Sequence, residues 1–255
     1  MMIFSVPPCL FWQRKAGLPK RPILMKTLRS LLFYFCQYIL LVPHALLCVT
    51  IGALLPLHKR YRYFLAWNAF SLWWLRVTCN IKYDIQGLEN VPPGPFVILA
   101  NHQSPWETIY LYHAFQPVNA ILKKELLRIP FFGWSLKLLH PIAIDRNKKG
   151  RALTQVLEQG QQKLRDGASV LVFPEGTRVA PGVEKKYSAG GAELAILAGK
   201  VILPVAHDAG VCWPAHQIIK EPGTIHVVIG KPIDPAGRKA RDVIAEVETW
   251  IRQAV

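Results

Sequence analysis

A single α/β domain, with a central mixed sheet of about seven strands flanked by helices and a membrane-associated helical hairpin ahead of it, is the fold this sequence predicts. Three observations predict it. Beyond Asn80, short β-branched or apolar runs alternate with helix-like stretches, the pattern of an α/β layer. Ahead of Asn80 lies a run, 31–57, of 27 residues with no Lys, Arg, Asp or Glu. The charge is divided in the same place: residues 1–83 hold eleven Lys/Arg and no acid, while residues 84–255 hold twenty against sixteen. A chain of 255 residues accommodates one catalytic domain with such an appendage, divided here as 1–79 and 80–255. Mean hydropathy is +0.21, too apolar for a disordered chain.

In chain order, residues 1–24 carry Arg14, Lys15, Lys20 and Arg21 among prolines and apolar residues. They read as an extension without a core of their own, and Met25 is a second possible start. As a helix, the run 31–57 measures about 40 Å against about 30 Å of hydrocarbon. A secretory signal has a shorter apolar core and a small-residue cleavage site, so an uncleaved anchor is expected. Gln37, Pro43 and His44 interrupt its middle, and Lys26, Arg29, Lys59, Arg60 and Arg62 flank both ends. That symmetry gives no orientation by the positive-inside bias. The stretch 63–75 adds Tyr63, Phe64, Trp67, Phe70, Trp73 and Trp74, rings that suit headgroup depth or a domain core. The expected arrangement is a two-helix hairpin broken near Pro56 and dipping into one leaflet; a single span is the alternative. Basic residues that flank an apolar run suit a membrane surface rather than nucleic acid.

From Asn80 onward the expected strands are 81–86, 96–100, 118–122, 142–144, 169–173, 202–206 and 225–229. The expected helices are 105–115, 131–139, 148–165, 188–199 and 238–253. Gly87, Pro92-Pro93-Gly94, Gly167, Pro181-Gly182 and Pro222-Gly223 punctuate them. The five cysteines, at 9, 36, 48, 79 and 212, form no C-x-x-C pair, which fits reduced, packed thiols in a reducing compartment. His140, His207, His216 and His226 have no metal-ligand spacing, and no metal or bound cofactor is expected.

Two segments carry the chemistry. Asn101-His102-Gln103-Ser104-Pro105-Trp106-Glu107-Thr108 follows a strand, where α/β sheets gather ligands. Ser104, Pro105 and Glu107 spell a helix start, with a cap, a proline and a capping-box acid. His102 just outside that helix and Glu107 in its first turn can meet, so the histidine could take a proton from an alcohol while the carboxylate fixes its tautomer. Capping alone would also account for Glu107. Phe173-Pro174-Glu175-Gly176-Thr177-Arg178 ends another strand and has the parts of a phosphate site: a forked cation, a glycine for close approach and a hydroxyl. Glu175 could orient Arg178 or bond a substrate hydroxyl.

Together these segments resemble the glycerolipid acyltransferases, and most closely the 1-acyl-glycerol-3-phosphate (lysophosphatidate) acyltransferases. Four blocks occur in the family's order. His102 through Glu107 is similar to the H-x4-D/E block, Phe132-Gly133 through Ile144-Asp145-Arg146 to the second, Phe173 through Arg178 to the third, and Val201 through Val205 to the fourth. Glu107 stands where aspartate is commoner.

The resemblance implies that His102, held by Glu107, deprotonates the 2-hydroxyl of lysophosphatidate, which attacks an acyl thioester of coenzyme A or acyl carrier protein. It implies that Glu175, Gly176, Thr177 and Arg178 place the glycerol phosphate, with Arg146 a second phosphate contact, and that amides of the helix start after Ser104 steady the oxyanion. Membrane phospholipids, lysophosphatidate and acyl carrier protein are the implied partners, and a bacterial inner membrane with the catalytic domain on its cytoplasmic face the implied location. Another lyso-lipid or glycerol-3-phosphate as acceptor, thioester hydrolysis, and a non-catalytic lipid-binding role are the competing readings.

Overall fold

Seven strands form one sheet in a computed structural model of the chain, which describes residues 23–145 and 149–255. They are β1 (Ile81–Gln86), β2 (Val97–Ala100), β3 (Val118–Lys123), β4 (Ile142–Ile144), β5 (Ser169–Val172), β6 (Ile202–His207) and β7 (Gly223–Ile229). Their order across the sheet is β1-β7-β6-β2-β5-β3-β4. β6 and β7 pair antiparallel and the other neighbours pair parallel, so the sheet is mixed, as expected. Its central strands β2, β5 and β6 read VILA, SVLV and ILPVAH and are buried throughout, because layers cover both faces.

Alternation along β2 divides the core. Ile98 and Ala100 face a cluster with Trp106, Tyr110 and Leu111 of α3 (Trp106–Ala114), while Val97 and Leu99 face one with Leu194 and Val247. The second layer holds α5 (Lys149–Arg165), α6 (Gly190–Ala198) and α8 (Ala240–Ala254). Two short helices, α4 (Phe132–Lys137) and α7 (Ala209–Cys212), complete the set. The sequence reading located every strand to within two residues but did not include α7, which is a single turn.

The N-terminal hairpin is present as α1 (Ile23–Leu54) and α2 (Leu57–Cys79), parted at Pro56. Both helices are longer than their apolar runs suggest. At the tip, Arg60 donates to the carbonyls of Leu55 and Ala53 at 2.6 and 2.9 Å, closing α1 with a cation where its orphan carbonyls need one. At the base, Asn80 adopts φ 53° and returns its N–H to Arg76 O, a left-handed stop before β1. The expected interruptions do not break α1. Gln37 accepts from Ser71 Oγ at 3.3 Å, and the His44 ring lies against Tyr63 and Trp67 at 5.4 and 5.3 Å. Polar side chains directed at α2 leave the outer face apolar.

α2 is the inner helix. Tyr61, near its start, bonds Asn119 Oδ1 and Leu139 O, and Leu72, Leu75 and Cys79 join the core of the α3 layer. α1 lies outside it, long and apolar enough to cross a membrane, with mean hydropathy 1.9. Phe35 and Ile39 are more than half exposed, as is Trp73 on α2. Such a continuous apolar exterior is a membrane-associating surface. Tyr63, Phe64, Trp67, Phe70 and Trp74 are half-buried, so the aromatic stretch serves as core and rim together. The base of α1 is tied to the domain by Lys26–Glu221 at 2.6 Å and by Ser30 Oγ accepting from the Lys220 N–H at 2.9 Å.

Candidate active site

β2, β5 and β6 run parallel and deliver their carboxyl ends to one edge, which is where His102 follows β2 and Phe173 through Arg178 follow β5. The turn from β2 into α3 places the first constellation. Pro105 has helical dihedrals (φ −66°, ψ −23°), and Ser104 Oγ accepts the Trp106 N–H at 3.1 Å. Ser104 thus acts as the cap that the sequence led one to expect. That Trp106 amide is thereby occupied, which removes it from the expected oxyanion donors.

Glu107 is fully buried, and its Oε1 receives three donors: the His102 imidazole at 2.7 Å and the backbone N–H groups of Gln103 and Ser104 at 3.0 and 2.8 Å. Capping and histidine pairing, which the sequence posed as alternatives, are both carried by this one oxygen. With Nδ1–H donated to a carboxylate, the outer nitrogen, Nε2, is the basic one. The ring stacks on Phe173 at 4.1 Å between centroids and 12° between planes, and its side chain retains 16% exposure, enough for a substrate to reach it.

The third-block loop grips the same histidine by its backbone. Glu175 Oε1 accepts the His102 N–H at 3.1 Å, and the Val179 N–H donates to His102 O at 2.7 Å. The turn between them uses Gly176 at φ +69°, a left-handed conformation that suits glycine. Gly176 and Thr177 are exposed beside it. Of the two roles open to Glu175, pairing with Arg178 is not formed: Glu175 turns inward to His102, and Arg178 has no ion pair with a carboxylate among the described residues. Burial pushes the Glu175 carboxyl up to about 7. Arg178 Nε is shut off from solvent with no acceptor among the described residues, an unusual state for a buried donor. Its guanidinium lies within electrostatic reach of Tyr34 on α1. Arg146, the other expected phosphate contact, lies outside the described residues.

Sequence reasoning missed two supports. Asn101 and His207 exchange hydrogen bonds across β2 and β6: Asn101 Nδ2 to His207 O at 2.8 Å, His207 N–H to Asn101 Oδ1 at 3.0 Å, and the buried ring to Asn101 O at 2.7 Å. Burial lowers the His207 pKa, which suits a neutral structural imidazole. Lys124 pairs with Asp145 at 2.5 Å just past the ends of β3 and β4. No spacing links residues so far apart in the chain. Among the described residues no group of three or more His, Cys, Asp and Glu side chains is arranged to hold a metal.

The chain is also similar to known proteins. Residues 82–208 match a family model described as Acyltransferase. The chain is 44% identical over 236 residues to a 1-acyl-sn-glycerol-3-phosphate acyltransferase of Pseudomonas aeruginosa, covering 91% of both chains. It is 29% identical over 222 residues to a protein of the same description from Chlamydomonas reinhardtii, covering 85% of this chain and 67% of that one. Among solved structures it is similar to the 1-acyl-sn-glycerophosphate acyltransferase PlsC of Thermotoga maritima, with TM-score 0.75, 25% identity, and coverage of 91% and 95%.

Proposed function

Since this chain belongs to the 1-acyl-sn-glycerol-3-phosphate acyltransferase family, we propose that it transfers an acyl chain from a thioester of coenzyme A or acyl carrier protein to the 2-hydroxyl of 1-acyl-glycerol-3-phosphate, giving phosphatidic acid. The observation that carries the mechanism is the His102–Glu107 contact of 2.7 Å, with the outer imidazole nitrogen left to face substrate. In this reading His102 Nε2 takes the proton of the acceptor hydroxyl as its oxygen bonds to the thioester carbonyl carbon. The tetrahedral intermediate collapses, the carbon–sulfur bond breaks, and the departing sulfur receives the proton back from His102. Glu107 holds the tautomer and stabilises the imidazolium; proton transfer by a positioned base such as His102 contributes about 10²–10⁴-fold. No acyl-enzyme forms.

Arg178, which has no ion pair with a carboxylate among the described residues, binds the acceptor phosphate with its guanidinium, Gly176 and Thr177 give close approach and a hydroxyl, and Glu175 holds the His102 backbone beside it. Arg146 is assigned as a second phosphate contact on the sequence blocks alone. Association with a membrane follows from the outer face of α1, which brings the site to the depth of a lipid acceptor. We place the protein at a bacterial inner membrane with residues 80–255, the catalytic unit, on the cytoplasmic side; the free thiols of Cys36, Cys48, Cys79 and Cys212 suit that reducing side.

The test is an acyl-transfer assay of purified protein across several lyso-acceptors, with His102→Ala as control. Phosphatidic acid production that His102→Ala abolishes, with vesicle binding kept, is the expected result. Equal thioester consumption with and without lysophosphatidate would make the protein a hydrolase instead.

A further inference from the structure

Behind the catalytic edge lies a cavity of about 250 Å³ that the proposed acceptor site does not use. Its inner wall is Gln103 and Glu175, the two residues adjoining His102 through chain and hydrogen bond, and its outer wall is the 179–187 loop with Val211 and the end of α8. Arg178, His102 and the hairpin helices do not line it. The cavity borders Ile251 and Arg252 of α8, in the layer opposite α1.

The chemistry of the walls selects the occupant. Val179, Pro181, Val211 and Ile251 provide apolar surface. The charged side chains are already engaged: Arg252 pairs with Glu184 and Glu248, and Asp208 bonds the His226 ring at 2.9 Å. Among the described residues Arg252 is the one other cation that lines it besides Lys185, which is exposed, as is Lys186 next to it in the chain. A long acyl chain would need an apolar lining, but Asn101, Gln103, Glu175 and Tyr187 make the inner end polar. Drug-sized ligands fill pockets of about 300–1,000 Å³, so a nucleotide with its arm does not fit whereas a slender amide-bearing arm does.

Resting on the acyltransferase reading, we propose that this cavity is the donor subsite and receives the pantetheine arm common to coenzyme A and acyl carrier protein. The thioester then reaches His102 from the α8 side, past Gln103 and Glu175, while the lipid acceptor arrives from the hairpin side. The water-soluble donor and the membrane-held acceptor have separate entries to one base. Inside, the side chains of Gln103 and Glu175 meet the arm's amides, and the rim lysines meet the anionic remainder of either carrier.

The experiment fills the outer wall at two exposed positions, with Val211→Trp and, as an independent variant, Ala180→Trp. Full-length protein is assayed with acyl-CoA, with acyl carrier protein thioester, and with the acyl thioester of N-acetylcysteamine, which lacks most of the arm. For whichever natural carrier the wild type uses, each variant is expected to raise the donor KM by about tenfold or more. KM for lysophosphatidate and for the truncated thioester should stay within about twofold of wild type, and Val211→Ala should match wild type throughout. Donor KM unchanged in both Trp variants, or a rise confined to lysophosphatidate, overturns the assignment. Wild-type protein that makes no phosphatidic acid overturns the acyltransferase reading instead, so the two failures are distinct.

Discussion

Replacing Glu107 with glutamine separates the two roles that its Oε1 combines. The amide oxygen of Glu107→Gln can still accept the N–H groups of Gln103 and Ser104, which now lie at 3.0 and 2.8 Å, so the start of α3 survives. The negative charge facing the imidazole does not. A hydrogen bond to a charged group is worth about 1.5–3 kcal/mol, and loss of the orienting carboxylate in a Ser-His-Asp triad costs about 10⁴-fold. The expected fall in kcat is therefore about 10²–10⁴-fold, with Tm within about 3 °C of wild type. Glu107→Ala strips one acceptor from three buried donors. It should lose the same activity and about 2–4 kcal/mol of stability, or about 4–16 °C in Tm. Glu107→Asp keeps the charge on a shorter arm and should lose less than about tenfold, about 1.4 kcal/mol of barrier. Steady-state phosphatidic acid formation and thermal unfolding on the same preparations decide the matter. Glu107→Gln with activity within threefold of wild type, beside a Glu107→Ala that merely melts earlier, would reduce this carboxylate to a helix cap.

Arg178→Lys keeps a cation but not the guanidinium edge, and should raise KM for lysophosphatidate by about tenfold while leaving the donor KM unchanged; equal changes in both would remove the phosphate role. The raised Glu175 carboxyl binds its proton more tightly folded than unfolded, so stability from this group is complete below its ordinary value of 4.5 and lost as pH rises to about 7. Glu175→Gln should accordingly gain in Tm relative to wild type between pH 5 and pH 8, and a constant difference would refute the burial argument. Lys220, 1% exposed, points its Nζ at the rings of Phe33, Tyr34 and Trp213 from 4.5, 3.4 and 4.5 Å. Cation–π attraction of about 2 kcal/mol or more when desolvated opposes an ammonium burial cost of several kcal/mol, leaving packing volume as the net contribution. Lys220→Met should then cost under about 1.5 kcal/mol and Lys220→Ala about 2–4 kcal/mol by thermal unfolding; equal losses would show that the charge is what holds α1.

The strands were legible because each is a short β-branched run closed by Gly, Pro or a polar turn, and local pattern suffices for that. Their order was not: β2 lies between β5 and β6 through crossovers that no local signal encodes. The helical hairpin was legible from hydropathy and Pro56. Its true length was not, because Arg60 caps α1 from the next helix and the polar Gln37 and His44 are satisfied by α2. At the site, His102 and Glu107 were legible as a five-residue spacing across a helix start. The direction of Glu175 was not legible. Nothing local reveals that Gly176 at φ +69° turns the chain so that the carboxylate points under His102 while Arg178 emerges unpaired. Asn101–His207 and the Lys220 cage escaped for the same reason: each joins side chains that only the folded sheet brings together.

The competing explanations of Glu107 also dissolve in that geometry. A capping box fixes a glutamate at one place relative to the preceding turn, and the preceding turn is where His102 stands. An oxygen that accepts the Ser104 and Gln103 amides is therefore already near the imidazole, and no separate element is needed to bring it there. The remaining freedom of His102 is removed at its own backbone, by Glu175 on the N–H and Val179 on the carbonyl, and at its ring face by Phe173. Three of those four contacts come from the loop that carries Arg178. A movement of that loop consequently displaces the base and the unpaired guanidinium together, so that the distance between proton acceptor and anion site is set by hydrogen bonds between two neighbouring strand ends rather than by the packing of the domain as a whole.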